Sequence, residues 1–182
     1  MTTPRPDAAP ASASNSAGRS DRFAETEVDG SAFVLRRARR ADLDRIVELI
    51  EHDPLRAAEL RAAGSNRPAI EQAFERIDAD PAQCYCVVAG PDGTVVGCMQ
   101  LTFIPGLSRG GATRMQVEAV RIAEELRGSG LGSWMIRWAV DHARAEGARL
   151  VQLTSDARRT DARRFYERLG FEASHVGFKL AL

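Results

Sequence analysis

Lysine is all but missing from this 182-residue chain: 24 of its 25 basic residues are arginine, and Lys179 stands alone near the C-terminus. The skew reads as coding preference, because 25 acidic residues bring the formal charge to zero and leave no net basic field for a nucleic-acid partner. Long apolar runs are absent too. None approaches the ~20 residues that cross a bilayer, and the N-terminus has no apolar core of a secretion signal, so a cytoplasmic setting without a membrane partner is expected. Cysteine is scarce. Cys84, Cys86 and Cys98 are odd in number and sit in apolar, strand-like segments, which favours buried reduced thiols over a disulfide framework. Cys84 and Cys86 share a strand face by alternation, but no further ligand completes a metal site, and His52, His142 and His175 lack i, i+4 ligand spacing. No metal is expected.

What is present is an ordinary globular composition, 44% apolar and 27% charged, enough for one domain with its own core. Residues 1–30 are rich in Ala, Ser, Pro and Asp without periodicity and read as a disordered tail ahead of a domain spanning 31–182. A strand is expected over Ser31 to Arg37, then a helix over Asp42 to Asp53 with Asp42 near its N-cap and Leu43, Ile46, Val47 and Ile50 on one face. Arg56 to Ala79 reads as a helix in two pieces broken between Gly64 and Pro68. Gly90-Pro91-Asp92-Gly93 separates two strands, Tyr85 to Ala89 and Val95 to Phe103. Pro105, Gly106, Gly110 and Gly111 mark a loop ahead of a strand from Met115 to Ile122, a candidate wall for a second substrate. Ser133 to Glu146 is amphipathic, with Met135, Ile136, Trp138, Ala139 and Ala143 inward and Gly147 past its end. A strand over Leu150 to Thr154, a helix capped by Thr160 or Asp161 and closed at Gly170, and a last strand or pair over His175 to Leu182 complete the order. This is an α/β sandwich, an α+β arrangement around a mixed sheet.

The most informative segment is Arg127-Gly128-Ser129-Gly130-Leu131-Gly132, set between the Met115 strand and the following helix. Three glycines let the backbone approach a ligand closely, and the loop's N–H groups join the free ones of the helix start, which makes an anion cradle with Arg127 as charge partner. It is not a Walker A loop, which needs a lysine after its last glycine. Nor is it a dinucleotide fingerprint, which needs Gly or Ala where Ser133 stands and an acidic residue closing the next strand; Asp156 lies past that strand.

Arg-x-x-Gly-x-Gly opening a helix resembles the coenzyme A loop of the GNAT superfamily of N-acetyltransferases. A second block, Ala162 to Phe171, resembles that superfamily's late helix, which carries a tyrosine and ends in Leu-Gly-Phe. The resemblance runs from about Ala32 to the C-terminus and implies a mixed, mostly antiparallel sheet flanked by helices on both faces. It also implies acetyl-CoA as co-substrate, held by Arg127, Gly128, Ser129, Gly130, Leu131, Gly132 and Ser133. The backbone of Val120, Arg121 and Ile122 would pair with the pantetheine arm like a missing strand and polarise the thioester carbonyl.

Direct acetyl transfer to an amine needs a base, because an amine with pKa about 10.4 is neutral in only some 1 of 2,500 molecules at pH 7, a handicap of roughly 4.6 kcal/mol. Glu118 is the candidate. Alternation places Gln116, Glu118 and Val120 on one strand face, and the superfamily often has glutamate at this distance before the loop; a solvated edge-strand glutamate is the ordinary alternative. The position used by some relatives on the next strand is Thr154 here. The resemblance makes Tyr166 the acid that protonates the departing thiolate, against an ordinary packing tyrosine beside Phe165. The asparagine that the superfamily often has seven residues earlier is Arg159. The arginine groups Arg36, Arg37, Arg39, Arg40 and Arg158, Arg159, Arg163, Arg164 read as solvated ends of elements before they read as a grip on a coenzyme A phosphate or an anionic acceptor. An N-acetyltransferase is thus expected, with a small-molecule amine or an amino acid as acceptor, a protein amine or a homodimer left open, and a non-catalytic acyl-CoA-binding regulatory module as the alternative.

Overall fold

The computed structural model of the chain describes residues 21–52 and 66–181. Six strands form one sheet in the order of the chain: β1 Arg22–Val28, β2 Ser31–Arg37, β3 Gln83–Ala89, β4 Val95–Ile104, β5 Arg114–Ile122 and β6 Leu150–Leu153. Neighbours are antiparallel except β5 and β6, which run parallel because a helix crosses between them. The longer helices are α1 Leu43–Glu51, α2 Arg67–Ala79, α3 Leu131–Ala145 and α4 Thr160–Arg168. The fold is the expected mixed sheet flanked by helices.

The tail boundary expected at residue 30 is wrong. Arg22–Val28 is a strand paired with β2, and the turn between them is Asp29-Gly30 with φ of 49° and 73°, the type I′ geometry that an Asp-Gly pair favours. Averaging over a polar N-terminus hid the segment. Phe23 stacks on Trp138 of α3 at 5.1 Å, Trp138 stacks on His142 at 4.9 Å, and Phe103 of β4 meets His142 edge-on at 5.8 Å. Partners on α3 half-cover β1, and Asp29-Gly30 is its one local signal.

β2 and the β3–β4 turn stand where the sequence placed them; Gly90 N–H donates to Thr94 O, and Asp92 accepts from the Thr94 amide. α1 buries Leu43, Ile46 and Leu49 and packs Ile50 against the core, so the stripe runs through Leu49 in place of Val47. Asp42 does not cap α1 through its side chain. Its carboxylate accepts both Nη groups of Arg36, at 2.7 and 2.8 Å, and the Arg39 amide at 2.7 Å. α2 opens inside the expected break, capped by Asn66; the earlier piece, residues 56–64, lies outside the described residues. α3 buries Leu131, Met135, Ile136, Ala139 and Ala143 and stops at Gly147, which takes φ 76° while Ala148 N–H donates back to Ala143 O.

Two C-terminal expectations fail. Neither Thr160 nor Asp161 caps α4: Arg159 holds the N-cap position, with no capping bond from its side chain. No strand forms over residues 175–181. β6 closes at Leu153 and the chain returns with Gly177 beside the Thr154 methyl, so it meets no ladder, and Val176, Phe178 and Leu180 are 80%, 93% and 86% exposed.

Candidate active site

Ladder bonds between β5 and β6 run from Arg114↔Leu150 to Val117↔Leu153 and stop there. From Glu118 to Ile122, β5 keeps β4 on one edge and, among the described residues, has no strand on the other, which leaves main-chain groups for an extended ligand to pair with. The end of this open stretch meets the glycine loop. A side chain on Gly132 would begin 3.6 Å from Ile122 Cγ1 and 3.7 Å from Phe165 Cζ, so α3, β5 and the neighbour of Tyr166 on α4 converge.

The loop is built by conformation. Gly128 and Gly130 have φ of 83° and 93° with open space where a Cβ would lie, so glycine is required by the backbone there and not by crowding. Ser129 Oγ donates to Leu126 O at 2.8 Å and accepts the Leu131 amide at 3.3 Å, which fixes the turn. The first α3 bond is Trp134 N–H to Gly130 O, so the amides of Gly132 and Ser133 precede the helical ladder and remain available to an anion. The helix starts at Leu131, two residues before the expected Ser133, and Arg127 is exposed at the loop's entrance.

One feature of β5 corrects the expected face. Gln100 opposes Glu118 and Cys98 opposes Arg121, so Met99 faces two residues, Ala119 and Val120, in a bulge where Ala119 takes φ 52°. The extra residue moves Val120 off the face of Glu118 and puts Arg121 there instead. Tyr85 donates to Cys98 Sγ at 3.9 Å, and Cys98 donates to Ala119 O at 3.5 Å, so the bulge is tied to the buried layer beneath it. Arg121 Nη1 donates to Val120 O at 2.8 Å. On β4 opposite, Gly97 lets the strands approach closely: a Cβ would lie 2.7 Å from Ile122 Cδ1 and 3.1 Å from Arg121 O, so the Ile122 side chain would have to shift and the backbone to give slightly. A glycine alone inside a strand is a signal of close backbone approach, and it was legible in the sequence.

Tyr166 is half-buried, edge-on to Phe165 at 5.0 Å and to Phe171 at 5.7 Å. Burial raises its pKa above the ordinary phenol value, and the charges of Arg121 and Arg159 partly oppose that. The hydroxyl therefore stays protonated through neutral pH and is able to donate. Arg159, standing where the asparagine was absent, is close enough to act on it. Glu118 is exposed on the face it shares with Arg121.

The arginine groups are neutralised locally: Arg36 by Asp42, Arg37 by Asp78, Arg39 by Asp21, Arg40 by Glu71 and Glu75, Arg158 by Asp156, Arg163 by Glu167 and Arg164 by Asp161. The three thiols are buried, with Cys84 and Cys86 sulfurs 3.4 Å apart on the shared face, and burial raises the pKa of Cys98 to about 11. Among the described residues no group of His, Cys, Asp and Glu is arranged to hold a metal ion, and no helix is long and apolar enough to cross a membrane.

Over 67 residues the chain is 37% identical to the aminoalkylphosphonate N-acetyltransferase of Salmonella typhimurium, covering 37% of this chain and 44% of that protein. Over 92 residues it is 34% identical to the glucosamine 6-phosphate N-acetyltransferase of Trypanosoma brucei brucei, covering 50% and 60%. The chain thus spans about half the length of these curated relatives. A crystal structure named as a transcriptional regulator from Bacillus halodurans superposes with a TM-score of 0.77 at 35% identity, covering 82% of this chain and 99% of that one. Residues 43–171, which hold the open edge of β5, the glycine loop and the Tyr166 helix, match the family description directly, and the chain belongs to the Acetyltransferase (GNAT) family.

Proposed function

We propose that this chain is an acetyl-CoA-dependent N-acetyltransferase that transfers acetyl to a primary amine by direct attack in a ternary complex. The observation that carries the reading is the open edge of β5 running into the glycine loop, since together they offer main-chain pairing for a pantetheine arm and amides for its diphosphate. Val120, Arg121 and Ile122 supply the first, and Arg127 to Ser133 the second. In the reaction, Glu118 takes a proton from the acceptor ammonium and the freed nitrogen attacks the thioester carbon. The C–S bond then breaks, Tyr166 gives its proton to the departing thiolate, and the phenolate takes up the second proton that the new amide nitrogen sheds. The phenol suits this because burial keeps it protonated while Arg121 and Arg159 stabilise the phenolate left behind. Relatives named for an aminoalkylphosphonate and for glucosamine 6-phosphate support a small-molecule amine as acceptor, and a single domain in the cytoplasm completes the proposal.

Purified protein mixed with acetyl-CoA and a panel of amines is expected to release free thiol. Tyr166→Phe should lower kcat by about 10²-fold with acetyl-CoA affinity retained, and Glu118→Gln should flatten the rise of kcat/KM with pH. Unchanged rates in both variants would remove these two roles. The similarity to a protein named as a transcriptional regulator favours one second reading, a regulatory module that binds an acyl-CoA without turnover. Calorimetric heat with acetyl-CoA and no thiol release from any amine would select it.

A further inference from the structure

The sheet register assembles a polar face that the reaction does not explain. Residues opposite each other in a ladder point the same way, so Gln83, Thr102, Gln116 and Gln152 form one row across β3 to β6, and Tyr85, Gln100 and Glu118 form the next. On the other side of the Gln116 row lie Ile104, Arg114 and Leu150. Along β5 the order on this face is therefore Glu118, Gln116, Arg114. The opposite face carries Leu101, Val117, Phe103 and Met115, and Phe103 meets His142 of α3, so the polar rows lie on the side away from α3.

Gln83, Gln100, Thr102, Gln116 and Gln152 are half-buried and partly linked, Tyr85 is buried, and Glu118 is exposed. Gln152 Nε2 donates to Gln116 Oε1 at 2.7 Å, Gln100 Nε2 to Gln83 Oε1 at 2.8 Å, and Gln83 Nε2 to Asp80 at 3.0 Å. One bond between two glutamines leaves an N–H₂ and a carbonyl over, whichever way the amides are turned. Arg114 is different. It is half-buried beside the loop after β4, with Nη1 3.7 Å from where a side chain on Gly106 would begin. Among the described residues it is the half-buried arginine that makes neither an ion pair nor a hydrogen bond, whereas Arg36, Arg37, Arg45 and Arg67 each hold a carboxylate. An arginine whose side chain is half-buried and whose guanidinium has no counter-ion is a fork open to a carboxylate, phosphonate or phosphate.

We infer that Arg114 receives an anionic group of the acceptor while Gln116 and Gln152 bond its polar middle and Glu118 meets its amine. The inference rests on the proposed function and adds the acceptor's chemical class: an amine whose anion lies several bonds away across a polar spacer. At about 3.3 Å per residue, Glu118 and Arg114 stand about 13 Å apart along β5 before their side chains reach inward. The amine and carboxylate of an α-amino acid, separated by one carbon, do not span them.

The test compares kcat/KM for matched acceptors, ω-amino phosphates and ω-amino carboxylates of increasing length against neutral amino alcohols, in the wild type, Arg114→Gln and Arg114→Lys. The wild type should prefer an anionic series with a length optimum, and the two anionic arms rank phosphate against carboxylate. Arg114→Gln should lower the anionic-to-neutral ratio about tenfold to a hundredfold, mainly through the acceptor KM, and Arg114→Lys should restore part of it. An unaltered ratio in Arg114→Gln, or a wild type that uses amino alcohols as well as their anionic counterparts, would overturn the inference and leave the acetyltransferase standing. Silence with every amine would remove both.

Discussion

Asp42 concentrates more of the molecule's stability than its surface position in the sequence suggests. Its carboxylate and the Arg36 guanidinium retain only 10% and 13% of their side-chain exposure and meet in a bidentate pair that also takes the Arg39 amide. Burial alone would raise the Asp42 pKa, but the Arg36 pair and the Arg39 amide outweigh it and hold the carboxyl below the usual range. A depressed folded pKa stabilises the fold above the unfolded value near 4, and this contribution is lost as the pH falls through the folded pKa. Asp42→Asn strands a buried guanidinium and should cost about 3 kcal/mol in urea unfolding at pH 7. It should also flatten the acid limb of stability against pH; an unfolding midpoint equal to that of the wild type would refute this account.

The loop between β5 and α3 shows how much one element carries in its own sequence. Gly128 and Gly130 sit at positive φ, the helix starts directly after them, and both follow from the order of residues 127–132. Gly130→Ala meets no steric obstacle, yet a Cβ at φ 93° costs about 1–2 kcal/mol, which shows either as lost stability or as a loop that leaves its anion-binding shape. Calorimetry should therefore find acetyl-CoA affinity about tenfold weaker, and undiminished affinity with an intact fold would dissociate the glycine geometry from binding. The bulge in β5 is the opposite case. Alternation alone puts Val120 beside Glu118; the two-against-one pairing with Met99 gives that place to Arg121. Nothing in Gln116 to Ile122 signals this, because a bulge is a property of two strands, and Gly97 on the partner was its available hint.

At the scale of the whole molecule, β1 joins the sheet by pairing with β2 and is held against α3 by a side chain more than a hundred residues away. Phe23→Ala removes its stack on Trp138 and should lower unfolding free energy by about 2 kcal/mol, with amide exchange accelerated across β1 and β2; exchange confined to its wild-type rates would show that the pairing with β2 suffices. The same division runs through the site. Sequence alone determined the glycine cradle, the strand that precedes it, the helix bearing Tyr166 and hence the family, because φ signs, helix starts and periodic faces are set by neighbours along the chain. Tertiary structure alone decided that β1 packs on α3, that residues 175–181 form no strand, that Arg121 stands with Glu118, and that Arg114 lies beside a row of glutamines drawn from separate strands. Those outcomes depend on cross-strand register and on burial against distant elements, which no stretch of the chain encodes by itself.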